Sequence, residues 1–167
     1  MRTQPGMEFR QRHGLKDIDR YAYGDELRVG QWSARTVRFG ILRSLAFSLI
    51  SGDWNRLHYC LPPTAKRGPL HGYAVPGLLF ASVFSGILAS RLPGHGTVYV
   101  SQSLDFLAPV RLYRSYVAFV RIREIDSGRH RIALDTVIDR LATDISGKGP
   151  LCVGIADVRN YTAGLFR

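Results

Sequence analysis

The sequence lacks the patterns that mark several large classes of protein. It contains two cysteines, Cys60 and Cys152, which do not have the close spacing of a metal-binding motif. No stretch supplies the roughly 20 apolar residues that a confident membrane span requires, and no signal-peptide pattern is present. We therefore expect no metal or redox cofactor, free thiols, and a reducing compartment such as the cytoplasm or an organelle matrix.

Acidic residues are also scarce. There are 13 of them against 23 basic residues, which gives a formal net charge of +10, and 20 of the 23 basic residues are arginine. Such a charge favours an anionic partner: nucleic acid, a membrane surface or a phosphate-bearing small molecule. The arginines are scattered, however, without the run of about five or six like charges that marks a nucleic-acid-binding arm. Neither a nucleic acid nor a membrane is therefore the expected partner.

The hydrophobic content is high enough for one compact domain. It is 46% over 167 residues, and 22% of the residues are charged. We predict a single domain over residues 23–167 and a flexible N-terminal tail over residues 1–22.

The longest uncharged run, Pro76 to Ser90 (PGLLFASVFSGILAS), predicts a central helix about 22 Å long. Its apolar residues cover nearly the whole circumference, which is typical of a helix enclosed on all sides. Pro76 suits a first helical position, and Pro93-Gly94 ends the helix.

The rest of the chain predicts a second helix and an antiparallel sheet. Phe39 to Ile50 has the spacing of a short amphipathic helix, and the polar stretch Asp53 to His58 reads as a loop. Prolines and glycines in Leu61 to Val75 predict an irregular flap. Alternating apolar residues predict four consecutive strands over Thr97–Phe106, Tyr116–Ile125, Arg131–Asp139 and Leu151–Val158. A meander covering an apolar helix is a two-layer α+β domain.

Two stretches, SGDWNRLH at Ser51–His58 and VPGLLFASVFSGILASRLPGHGTVYVSQSLDF at Val75–Phe106, carry a family resemblance. Together they resemble the (R)-specific enoyl-CoA hydratase and MaoC-like dehydratase family, in which a G-D-x-N-P-x-H motif precedes a flap and the central helix. The resemblance implies a hot-dog fold, an antiparallel sheet wrapped around a long central helix. It also implies a homodimer or higher homo-oligomer acting on an acyl-CoA or acyl-carrier thioester.

Hydration of a 2-enoyl thioester requires a base for water, a proton donor for C2 and a donor to the thioester oxygen. By resemblance, Asp53 and His58 are the catalytic pair, and the Gly77 amide stabilises the oxyanion. Helix N-terminal amides are suited to that task because they lack intrahelical partners. The resemblance also gives Asn55 a role in shaping the loop and Ser85 a hydrogen bond within the substrate pocket.

Each of these residues has a plainer interpretation. Asp53 is a common turn former, His58 suits a structural histidine, and Ser85 suits close helix packing. Arg56, Cys60 and Pro76 stand where the family has proline, an acidic residue and histidine. These departures keep two other hypotheses open: a catalytically silent acyl-thioester-binding subunit and a hot-dog acyl-CoA thioesterase. Hydration of an enoyl thioester by a lyase is the favoured function.

Overall fold

The computed structural model describes residues 26–59, 74–140 and 150–162. The predicted tail, Cys60, nearly all of the flap and almost all of the loop over Thr143–Pro150 lie outside these ranges. Three helices are described, α1 (Ile41–Ser51), α2 (Gly77–Ala81) and α3 (Val83–Ser90). Five strands accompany them, β1 (Trp32–Arg38), β2 (Thr97–Phe106), β3 (Ser115–Asp126), β4 (Arg131–Arg140) and β5 (Cys152–Asn160).

The five strands form one antiparallel sheet in the order β1-β3-β4-β5-β2. The predicted meander is therefore wrong at its first step, because β2 pairs with β5 and does not pair with β3. The segment between β2 and β3 leaves the sheet: the Leu107 amide binds the Leu151 carbonyl, and the Val110 carbonyl accepts from the Val75 amide. Alternation along a strand shows which side chains share a face, but it does not show which strand lies alongside.

The predicted face of β2 is also wrong in part. The register shifts between Tyr99 and Ser101, so that Tyr99 lies opposite Val158, which is fully buried. Val98 lies opposite Arg159 instead. Such a bulge inserts one unpaired residue and reverses the alternation on either side of it. Gln102, Leu104 and Phe106 keep the common face that the sequence predicts.

The central helix is two segments rather than one. Ser82 lies between α2 and α3, where its amide binds the Leu78 carbonyl and its own carbonyl accepts from the Ser85 amide three residues later. The helix is also not enclosed on all sides by the described residues of this chain. Leu78 is 63% exposed, and Ser82, Ser85 and Ala89 are exposed along the same side.

The core lies between the other side of this helix and the concave face of the sheet. The helix contributes Phe80, Phe84, Ile87 and Leu88. The sheet contributes Ala118, Val120, Ile122, Ile132, Leu134, Ile138, Cys152, Ala156 and Val158, which confirms the predicted inward faces of β3 and β4. A smaller buried cluster of Ala34, Val117, Phe119 and Val137 lies on the opposite face. No helix within the described ranges is long and apolar enough to cross a membrane.

Candidate active site

The loop after α1 starts at a glycine with a left-handed backbone. Gly52 has φ 73° and its amide binds the Ser48 carbonyl at 2.8 Å, which ends the helix. A side chain at this φ would be strained, so glycine is the residue that ends a helix most easily this way. The turn places Asp53 immediately beyond the last turn of α1, as the sequence predicts.

Asp53 and Asn55 fold the loop through their own side chains. The Asn55 amide donates to Asp53 Oδ1 at 3.2 Å, and the Leu57 amide donates to Asn55 Oδ1 at 3.1 Å. The second bond caps the short 3₁₀ turn over Arg56–His58. Asp53 is therefore a turn former through Oδ1, and Oδ2 remains available for another role.

That second oxygen faces His58. The distance from His58 Nε2 to Asp53 Oδ2 is 3.4 Å, with the histidine side chain 11% exposed and the aspartate 40% exposed. The other ring nitrogen, Nδ1, lies 2.7 Å from the Ala74 carbonyl oxygen. Because a carbonyl oxygen can only accept, Nδ1 carries the proton, and a neutral His58 then presents a lone pair at Nε2.

With His58 neutral, Nε2 of His58 and Oδ2 of Asp53 are two hydrogen-bond acceptors side by side. A carboxylate oxygen and an unprotonated ring nitrogen repel each other unless a donor lies between them or the ring gains a proton. A water molecule beside both atoms would donate one O–H to Asp53 Oδ2 and the other to His58 Nε2. The geometry is suited to hold and deprotonate a single water at a half-exposed position.

Gly77 follows a segment that runs beside this loop. The Ala74 amide binds the Leu57 carbonyl at 3.2 Å, so the segment leading into α2 runs beside the loop. Gly77 follows Ala74 by three residues, so their Cα atoms are at most about 11 Å apart. A Cβ at Gly77 would lie 3.4 Å from the ring of Phe106. The ring thus covers the start of α2 closely.

Ser85 lies further along the central helix. It is exposed on α3, eight residues beyond Gly77, which is about 12 Å along a helix. Its hydrogen bond within the substrate pocket stays a prediction. The structure thus brings together Asp53, Asn55 and His58 and leaves Ser85 exposed on α3.

The departures from the family motif leave the loop intact. Arg56 is exposed and starts the 3₁₀ turn, whose cap comes from Asn55. Pro76 is buried and caps α2 with φ −51°. The turn therefore forms without a proline at position 56, because the Asn55 side chain supplies the bond that orders it.

The sequence did not predict the residues that connect the loop to α1. Ser44 and Ser48 are fully buried on α1, and Tyr59 contacts both. The signal available was two serines four apart within an apolar helix, which places them on one face. The Ala74 carbonyl, which fixes the tautomer of His58, gives no signal in the sequence.

Fold and site define a hot-dog protein with an aspartate–histidine loop beside its central helix. No protein-family model matches the chain. It is 37% identical over 112 residues to the (R)-specific enoyl-CoA hydratase of Aeromonas caviae, covering 67% of this chain and 83% of that protein. It is 34% identical over 115 residues to the 3-hydroxybutyryl-CoA dehydratase of Methylorubrum extorquens, covering 69% and 73%.

A solved structure agrees with these sequence relatives. The (R)-hydratase from A. caviae involved in PHA biosynthesis superposes with a TM-score of 0.72 at 33% identity, over 84% of this chain and all of that chain. The chain belongs to the (R)-specific enoyl-CoA hydratase and MaoC-like dehydratase family. The predicted hot-dog fold is confirmed.

Proposed function

We propose that the protein is a lyase that reversibly hydrates a trans-2-enoyl thioester to a 3-hydroxyacyl thioester. The carrying observation is the contact between His58 Nε2 and Asp53 Oδ2 at 3.4 Å, with Nδ1 held by the Ala74 carbonyl. Family membership and the activities of the relatives, an enoyl-CoA hydratase and a 3-hydroxybutyryl-CoA dehydratase, support the same reaction.

In this proposal Asp53 and His58 act together on one water. Its oxygen forms the new bond to C3 while one of its protons passes to the pair, and C2 receives a proton in exchange. The pair thus ends in its starting protonation state, and the net change is addition of H and OH across the double bond. Dehydration is the same path in reverse.

Negative charge moves onto the thioester oxygen during attack at C3. We assign its stabilisation to the Gly77 amide, the first residue of α2. Amides in a first helical turn have no intrahelical acceptor and therefore point outward. Asn55 supports the site by ordering the loop, and Ser85 stays a predicted substrate contact.

We propose an acyl-CoA as substrate, with an acyl-carrier thioester as the alternative. The protein is further proposed to act as a homodimer or higher homo-oligomer. Two exposed apolar surfaces support this: Leu78 on α2, and Val98 and Val100 on β2, which is an edge strand. The cytoplasmic or organelle-matrix location stays a prediction.

Activity measurements with purified protein test the proposal. Crotonyl-CoA and a longer enoyl-CoA are each added, and loss of the enoyl thioester absorbance is followed. The Asp53→Asn substitution retains an oxygen to accept from the Asn55 amide but removes the carboxylate. His58→Asn retains an N–H donor toward the Ala74 carbonyl but removes Nε2. We expect each variant to lose about 10²–10⁴-fold in kcat, the usual contribution of a general acid–base group.

A matched control separates charge from turn formation. Asp126 also accepts a turn amide through Oδ1, from Arg129 at 3.1 Å, but lies in the β3–β4 turn. Asp126→Asn should keep full activity. Undiminished activity in Asp53→Asn would remove the assignment. Release of free thiol without loss of the double bond would identify a thioesterase, and tight acyl-CoA binding without turnover would identify a silent subunit.

A further inference from the structure

Helix α1 buries polar side chains on the side facing the protein. Ser44 and Ser48 are both fully buried, while Leu49 on the other side is 73% exposed. Taking a hydroxyl out of water is unfavourable unless it gains a hydrogen bond. A polar buried face therefore requires partners on the neighbouring segment.

The partner of the Ser48 hydroxyl is Tyr59, the residue immediately after His58, whereas the Ser44 hydroxyl has no partner among the described residues. The Tyr59 hydroxyl lies 3.0 Å from the Ser44 carbonyl oxygen and also hydrogen-bonds with Ser48 Oγ. Ser48 Oγ in turn lies 2.5 Å from the carbonyl oxygen of Asp53. We refer to Ser44, Ser48 and Tyr59 as the Ser–Tyr cluster.

Three contacts share two hydroxyl protons in this cluster. In one arrangement Tyr59 donates to Ser48, and Ser48 donates to the Asp53 carbonyl. In a second, Ser48 donates to Tyr59, and Tyr59 donates to the Ser44 carbonyl. In a third, Ser48 donates to the Asp53 carbonyl while Tyr59 donates to the Ser44 carbonyl. Of these, the first alone satisfies the Tyr59–Ser48 contact and also restrains Asp53, and it requires a neutral phenol as donor.

Two other observations place Tyr59 against the catalytic pair. Its ring packs edge-on against His58, with centroids 6.0 Å apart and an interplanar angle of 84°. Burial, followed by the negative charge of Asp53, raises the pKa of Tyr59 above its usual value of 10.0. Because its pKa is raised, the Tyr59 phenol keeps its proton at every pH at which an ordinary tyrosine is protonated, and it can therefore act as a donor there.

We propose that Tyr59 is a positioning residue, whose hydroxyl acts through Ser48 to fix Asp53 relative to His58. Asp53 begins the loop and His58 ends it, and the Tyr59 hydroxyl connects both ends to one turn of α1. The Asp53 amide is held separately by Ser51 Oγ at 3.2 Å, so the hydroxyl of Tyr59 controls the carbonyl side of that residue. The kinetic consequences rest on the function proposed above.

The test is Tyr59→Phe, which removes the hydroxyl and keeps the ring against His58. We expect kcat to fall about tenfold, with KM changed less than about twofold, because small misplacements of catalytic groups affect the chemical step more than binding. The fall should be much smaller when the substitution is made in a Ser48→Ala background, because the two hydroxyls act in series.

Tyr113→Phe is the matched control. The Tyr113 hydroxyl accepts from the Ile41 amide at 3.4 Å, at the opposite end of the same helix. Removing it alters a tyrosine contact to α1 far from the loop. We expect kcat to stay within about twofold of the wild type. An equal fall in both variants would show a general helix effect and overturn the proposal.

A spectroscopic measurement keeps the inference separate from the reaction. Imidazole ¹⁵N spectra of histidine-labelled protein, assigned with His58→Asn, report the tautomer and hydrogen bonding of His58 without any substrate. Tyr59→Phe should shift the His58 signals and Tyr113→Phe should leave them unchanged. If the wild type hydrates no enoyl thioester, the proposed function fails while this comparison still decides the positioning role. Unchanged His58 signals in Tyr59→Phe would overturn it.

Discussion

Helices α1 and α3 are both apolar in sequence, but they bury opposite kinds of side chain. Helix α3 buries Phe84, Ile87 and Leu88 against the sheet. Helix α1 buries Ser44 and Ser48 and leaves Leu42, Leu49 and Ile50 exposed. Helix α3 holds the core together, and helix α1 supports the loop that carries the aspartate and histidine.

The difference shows what each kind of contact can do. Apolar packing against the sheet is strong but has little directional preference, so it fixes α3 without fixing a particular atom. Hydrogen bonds from α1 act on defined atoms, such as the Asp53 carbonyl oxygen, and their geometry is narrow. A catalytic loop needs the second kind of support, because small displacements of reacting groups are costly.

The largest effect we expect contrasts one leucine from each helix. Leu88 is 1% exposed on α3, and Leu49 is 73% exposed on α1. Leu88→Ala should lower the free energy of unfolding by about 2–5 kcal/mol, whereas Leu49→Ala should change it by no more than about 0.5 kcal/mol. Urea unfolding of both variants measures the contrast, and equal losses would show that α1 is covered by something in the folded protein.

A smaller effect distinguishes the two buried serines of α1. Ser48 Oγ holds the Asp53 carbonyl, whereas Ser44 Oγ is buried with no hydrogen-bond partner in the described parts of the chain. Ser48→Ala should destabilise the protein by about 1–2 kcal/mol. Ser44→Ala should be neutral or slightly stabilising, since it removes a hydroxyl that is desolvated without a bond. Thermal unfolding in parallel compares them, and the opposite order would contradict the Ser–Tyr cluster.

The last effect concerns pH, and it concerns the core rather than α1. Burial, with a contribution from the charge of Asp105, raises the pKa of the Cys152 thiol from 9.0 to about 11. The unfolded chain therefore loses this proton before the folded protein does, so stability falls as pH rises from 9 towards 11. Cys152→Ala should remove that part of the fall. Unfolding free energies of both proteins across this range provide the measurement, and parallel curves would show that the thiol does not contribute.

Much of the fold could be predicted because its signals are local. The uncharged run ending at Ser90 predicts the central helix, and the strands β2, β3 and β4 are confirmed within one residue of their predicted ends. Periodic patterns of this kind depend only on helix and strand geometry. The loop from Gly52 to His58 was also predictable, since its glycine, aspartate and asparagine act through bonds to near neighbours.

The errors concern relations between distant segments. The pairing of β2 with β5 depends on the path of the segment that follows β2, which passes Leu151 and Val75. The bulge near Val100 depends on the partner strand. Likewise, Tyr59 contacts the buried side of α1 through the Ser48 hydroxyl and the Ser44 main-chain carbonyl, and only the first of these contacts requires a serine.

The sequence by itself determined helix α1, the extent of the central helix, strands β2 to β5, the inward faces of β3 and β4, and the residues of the loop. Each of these follows from spacing along the chain and from bonds between near neighbours. Tertiary structure alone decided the order of the strands in the sheet and which side of α1 is buried. It also set the tautomer of His58 through the Ala74 carbonyl, 16 residues away in sequence. Such choices are made when segments meet, because a hydrogen bond or a packed face is fixed by both partners together.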